Sequence, residues 1–173
     1  MKNQNKQNNL QKKLYGDTFL CGVITVGAAI VGIARLCSFF SLNARLGKDG
    51  SQSLEDYAVL KNHLDVGVTG TLLAAALVFL FLTLLEIHKT GRPFSKSICR
   101  DLRTMGWLIL AAGLSRTVTD IISGFITPFN SDIYFVLADA RTLLLAVFAA
   151  VVLIFAEVVN YGCNIQEDLD SIA

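Results

Sequence analysis

Residues 66–87 read VGVTGTLLAAALVFLFLTLLEI, and this run decides the fold. No charge interrupts it before Glu86. A membrane-crossing helix needs about 20 mostly apolar residues, because the hydrocarbon core is about 30 Å thick and each residue rises about 1.5 Å. Inside such a run no water is at hand for the backbone, so only a helix satisfies its polar groups. Three further runs of the same kind lie at about residues 18–40, 104–127 and 133–160. The expected fold is therefore all-α, an integral membrane four-helix bundle.

The rest of the composition agrees. Hydrophobic residues make up 53% of the chain, and prolines number two. The mean hydropathy of +0.54 is high for a soluble domain. With a formal net charge of +1 there is no basic field, so no direct nucleic-acid partner is expected. Cys21, Cys37, Cys99 and Cys163 stand far apart, so neither a metal site nor a disulfide framework is expected. They read as small hydrophobes.

Outside the runs the chain changes character. Residues 1–17 begin MKNQNKQNNLQKK, with almost nothing to bury, and are expected to form a disordered basic tail. Residues 18–160 form the helical domain, and residues 161–173 an acidic tail. A secretory leader was weighed for the first run, since lysines precede it. The run is longer than the 7–15 residues of a signal core, so a span is preferred. Between the second and third runs, Gly91 and Pro93 read as a helix stop, and Ser95 as the N-cap of the next helix.

Positive charge orients the chain. Lys2, Lys6, Lys12 and Lys13 precede the first run; Lys89, Arg92, Lys96, Arg100 and Arg103 lie between the second and third. The other side carries only Arg45, Lys48 and Lys61. Both termini are thus expected in the cytoplasm, with the chain multi-pass in the cell inner (plasma) membrane.

Several charges fall where lipid would reject them. Arg116 and Asp120, four apart, share a helix face. Topology puts Arg35, Asp65, Arg116, Asp120 and Asp139 at similar depth in the outer half. Arg141, two residues after Asp139, points elsewhere and is expected to snorkel or to face a partner protein. A lone central charge costs about 2.5–3.5 kcal/mol on insertion scales, so these side chains should meet inside the bundle. Two readings remain: a salt-bridge network that fixes register, or a polar pocket for an ion, proton or small ligand. At the inner side, Glu86 and Glu157 are expected to meet Arg92, Arg100 and Arg103. Stripes such as Gly22–Thr25–Ala29–Gly32 and Gly67–Gly70–Thr71–Ala74 suit close helix packing, or contact with a second copy of the chain as a homo-oligomer.

Chemistry is sparse. His63 and His88 fall on opposite sides, and HExxH, GxSxG and P-loop patterns are all missing. No catalytic activity, cofactor or metal is expected.

Two stretches carry a family resemblance. Thr90–Leu110, TGRPFSKSICRDLRTMGWLIL, resembles the G-x-P-F-S, Leu-Arg and Gly-Trp pattern of the DUF2975 family. Phe155–Ala173, FAEVVNYGCNIQEDLDSIA, is similar to that family's acidic close, usually like E-N-D-L-T-V, with its Asp and Leu shifted. The resemblance implies a small bacterial membrane protein with four spans and no catalytic residues. It also implies a cytoplasmic protein partner such as a helix-turn-helix regulator. The leading expectation is a non-enzymatic regulatory or accessory protein acting through its basic inner loop and acidic tail. The alternative is a small transporter, channel or ligand-binding protein built on the outer-half charges.

Overall fold

The computed structural model describes the backbone of residues 2–49, 54–91, 94–126 and 140–172. Side chains are described for residues 15–46, 55–91, 94–121, 140–169 and 171. Four helices account for nearly all of this: α1 (Lys2–Asp49), α2 (Leu54–Thr90), α3 (Lys96–Ile126) and α4 (Ala140–Ile172). No strand occurs among the described residues.

Helix α1 starts at Lys2, so the segment expected to be disordered continues the helix instead. Lys, Gln and Asn tolerate helical backbone, no proline or glycine interrupts residues 2–15, and elongation costs little once the apolar part is wound. Helix α2 ends where Gly91 takes a φ of +63°, a left-handed conformation that glycine adopts without strain. The Gly91 N–H donates to the Ile87 carbonyl at 2.9 Å and closes the last turn. Ser95 caps α3, its Oγ accepting from the Ile98 N–H at 3.2 Å.

Three helices are long and apolar enough to cross a membrane: Tyr15–Leu46, Glu55–Thr90 and Ala140–Leu169. The fourth expected span, about residues 104–127, is not among them. Helix α3 is 31 residues long, about 46 Å at the standard rise. Its uncharged stretch, however, runs only from Thr104 to Ser115, with Arg103 before it and Arg116 after. The part of the expected fourth span before Ala140 lies outside the described residues.

Packing is serial. Helix α1 packs on α2, α2 on α3, and α3 on α4, and no other pair packs at backbone level among the described residues. The helical bundle is therefore an open row, with α2 and α3 each flanked on both sides. At the α1–α2 crossing a Cβ on Gly32 would stand 2.8 Å from the Thr71 amide nitrogen and 3.0 Å from the Gly70 carbonyl carbon. Nothing larger than hydrogen fits between those backbones.

The α3–α4 seam is built differently. Thr142, Ala149, Val152, Ala156, Val159 and Cys163 are buried on α4, and Leu145 packs against the same core. Ile98, Leu102, Met105, Ile109 and Ala112 are buried on α3. Both series step by alternating threes and fours, the spacing of an antiparallel coiled-coil seam. Ala149 and Ala156 have no exposed surface, so the helices approach closely there. The outward faces are apolar, with Phe19, Val23 and Ile30 exposed on α1, and Leu144, Phe148, Val151 and Ile154 on α4. Helices that show such faces belong in lipid rather than in water.

The crossing gives a test. Gly32→Val should lower the midpoint of thermal unfolding in detergent, overpacking costing about 1–3 kcal/mol. Gly27→Ala should leave it unchanged or slightly raised, since nothing lies within 4 Å of that position.

Candidate functional site

Polar side chains gather at both ends of the row, in different solvents. Tyr15 meets His88 with ring centroids 6.3 Å apart, and Ser95, Lys96 and Glu167 lie at the same end. Both chain termini belong to that end. The opposite end holds Arg35, Lys61, Asp65, Asp120 and Arg141.

At this second end two carboxylates are buried between helices. Asp65 on α2 and Asp120 on α3 are each 7% exposed. A desolvated carboxylate needs a counter-charge, and each has one from another helix. Lys61 of α2 pairs with Asp120 of α3. Arg141 at the start of α4 brings Nη1 to 3.6 Å from Asp65 Oδ2. Arg116 adds a longer contact, its Nε 4.0 Å from Asp120 Oδ2 across one helical turn. Arg116 and Asp120 also act on Asp65 electrostatically, so the five charges form one layer.

Hydroxyls extend the layer. Thr69 Oγ1 and Ser115 Oγ are 2.8 Å apart, and Ser115 Oγ also lies 2.8 Å from the Ala112 carbonyl. Either hydroxyl can be the donor, and Thr69 also hydrogen-bonds toward the Asp65 carboxylate. Lys61, Asp65 and Thr69 stand at successive i, i+4 positions, one stripe of α2 turned toward α3 and α4.

The sequence expectations are met unevenly. Asp65, Arg116 and Asp120 do come together. Arg35 does not reach the carboxylates; its Nη1 lies 3.3 Å from His63 Nδ1 between α1 and α2. The serial row explains this, because among the described residues α1 packs on α2 alone. Arg141 is drawn into the layer by Asp65 rather than turned away from it. Asp139 lies outside the described residues. From the sequence Lys61 is expected only as an outer-side charge, although Lys61 and Asp65 share an i, i+4 face.

The terminal end holds a solvated latch between α3 and its neighbours. Ser95 Oγ donates to Glu86 Oε1 at 2.7 Å and ties the α3 cap to α2. Arg103 Nη2 meets Glu157 Oε1 at 2.6 Å, and Lys96 Nζ meets Glu167 Oε1 at 2.7 Å, tying α3 to α4. Glu167 raises the Lys96 ammonium above the ordinary lysine value, first by its hydrogen bond and then by its charge. A raised folded value means that the Lys96 contribution is present at neutral pH and is lost as pH rises into strong alkali and deprotonates Lys96. Arg100 comes no nearer than 3.7 Å to Asp101, its chain neighbour, and does not meet Glu86 or Glu157. Arg92 lies outside the described residues. The Lys96–Glu167 pair is not expected from the sequence, where the acidic end reads as a short helix extension or an interaction tail.

Chemically, both ends pair charges. Among the described residues no three His, Cys, Asp or Glu side chains gather as they would around a metal ion. Cys99 Sγ donates to the Ala156 carbonyl at 3.4 Å inside the α3–α4 seam, as a packed thiol does.

Two sets of variants test this geometry. Asp65→Asn should destabilise the detergent-solubilised protein by about 1–3 kcal/mol, less than the about 3–5 kcal/mol of a fully buried pair because Arg141 is partly exposed. The swap Asp65→Arg with Arg141→Asp should recover more than half of the loss seen with Asp65→Arg alone. Ser95→Ala should cost about 1 kcal/mol, the usual worth of an N-cap.

The comparisons bear on the whole chain. No curated protein and no solved structure matches it. The family model described as "Protein of unknown function (DUF2975)" matches residues 15–172, which takes in all three candidate spans, the α3 cap and the latch. The chain belongs to the DUF2975 family.

Proposed function

We propose that the protein is a non-enzymatic regulatory or accessory component of the bacterial inner membrane. In this reading all four helices cross the bilayer, with both termini in the cytoplasm. Helix α3 crosses despite its charges because α2 and α4 shield it. The observation that carries the proposal is the terminal part of α4. That helix runs about four turns past Glu157, and Tyr161, Ile165 and Leu169 are exposed along one side of it, at 68%, 44% and 62%. Exposed Glu167 and Asp168 stand beside this stripe.

An apolar stripe edged by carboxylates fits a partner helix or groove edged by basic residues. The occupant proposed is a basic cytoplasmic protein, of which a helix-turn-helix regulator is one class. The latch supports this reading, because Lys96 and Arg103 hold α4 on α3 and Phe94 packs over Gly162. A platform fixed before binding loses less conformational entropy on docking. The buried layer at the other end is proposed to pin helix register rather than to carry an ion, since cations from neighbouring positions already neutralise its carboxylates.

Photocrosslinking in native membranes tests the reading. A crosslinker at Leu169 should give one protein adduct of basic composition, and Asp168→Lys should remove it. A crosslinker at Leu144 should label lipid only. Lipid adducts alone at both positions, together with ion flux through the purified protein in liposomes, would overturn the proposal.

A further inference from the structure

At the end away from the termini, α1 and α2 diverge around a cleft of about 500 Å³ lined by Cys37, Ser38, Ser41, Arg45, Val59 and His63. Among the described residues no carboxylate lines it. Arg45 makes no ion pair among the described residues, and the Ser41 hydroxyl makes no hydrogen bond among them. Arg35 approaches the far side of the His63 ring, Nη1 to Nδ1 at 3.3 Å. A guanidinium can only donate, so Nδ1 accepts and the ring proton sits on Nε2. The cleft therefore offers three kinds of donor from two helices: a guanidinium, an imidazole N–H and a serine hydroxyl. Ser38 offers no further hydrogen, because its Oγ donates to the Ala34 carbonyl at 2.9 Å.

Donors without an acceptor of opposite charge mark a place for an anion with several oxygens. The setting narrows the choice. Val59 on α2 (49% exposed) lines the cleft, so an apolar surface adjoins the cationic one. Below it the same side of α1 is apolar through Val31 and Ile30. Polar donors above a lipid-facing stripe match the order of groups in a phospholipid, headgroup phosphate above acyl chain. Asp56, two turns before His63 on α2, does not line the cleft.

We infer that this cleft binds the phosphate of a membrane phospholipid headgroup, with Arg45, the His63 Nε2–H and Ser41 as its donors. Arg35 acts through His63 by holding its tautomer. The site is separate from the docking stripe on α4, at the other end of the molecule, and stands or falls independently of it.

The test is binding of soluble short-chain lipids to the purified full chain, read by native mass spectrometry in a delipidating detergent. Dioctanoyl phosphatidylglycerol should form a one-to-one adduct, and dioctanoylglycerol, which lacks the phosphate, should not. Arg45→Gln and His63→Phe should each weaken the adduct about three- to tenfold, the effect of losing a charge-assisted or directed hydrogen bond at a partly exposed site. Lys89→Gln, at the opposite end, should bind as the unaltered chain does. Circular dichroism confirms that each variant keeps its helices, and Arg45 is exposed enough for its replacement to leave packing intact. The inference is overturned if Arg45→Gln and His63→Phe both retain the adduct, or if dioctanoylglycerol binds equally well. It is also overturned if inorganic phosphate displaces the lipid completely at equal concentration, since the site would then serve a free anion.

Discussion

Asp120 can remain charged between α2 and α3 only if a cation from another helix comes to it, and Lys61 does. The rest of the row follows from that requirement. A carboxylate taken out of water loses several kcal/mol of hydration, and only a well-placed counter-charge returns most of it. Asp65 meets the same requirement through Arg141, across to α4. One pair fastens α2 to α3, the other α2 to α4. If α2 slid by one turn both pairs would separate at once, because successive turns lie about 5.4 Å apart. Charge here sets register in a molecule whose apolar faces would tolerate many registers.

The remaining contacts divide the labour by solvent. In lipid the hydrophobic effect gives helices little reason to associate, so α1 and α2 rely on the Gly32–Gly70 approach, and α3 and α4 on Ala149 and Ala156. At the terminal end, where charges are hydrated, Arg103–Glu157 and Lys96–Glu167 contribute little energy each. Their use is geometric, since they keep α4 alongside α3 past the last apolar turn. Helix α1 forms one edge of the row. Among the described residues it packs on α2 alone, as α4 packs on α3 alone, and it leaves most of its apolar surface exposed.

Much of this was legible in the sequence, for reasons that can be named. Long uncharged runs announce α1, α2 and α4, because length and hydropathy are local properties. The Gly91 stop and the Ser95 cap were legible too, since each depends on one residue's own conformational or hydrogen-bonding preference. Burial of Asp65 and Asp120 followed from the cost of charge in lipid. Partner identity did not follow. Lys61 and Arg141 are long side chains near helix ends, and their reach depends on how neighbouring helices are arranged. Arg35 was assigned to the carboxylates because a closed bundle was assumed; the open row gives it His63 instead. The α3–α4 seam had left a readable signal in residues 142, 145, 149, 152, 156, 159 and 163, masked by apolar residues on every other face. Hydropathy also overstated α3, whose burial comes from its neighbours and not from its own composition.

The account rests on ion pairing across helices rather than on apolar contact alone, and a double-mutant cycle on Lys61 and Asp120 measures that directly. Lys61→Met, Asp120→Asn and the double variant would be unfolded thermally in the same detergent. The account predicts a coupling energy of about 1–3 kcal/mol, the double variant being distinctly more stable than the sum of the single losses implies. Additive losses, with coupling near zero, would show that the two charges do not depend on each other and would contradict it.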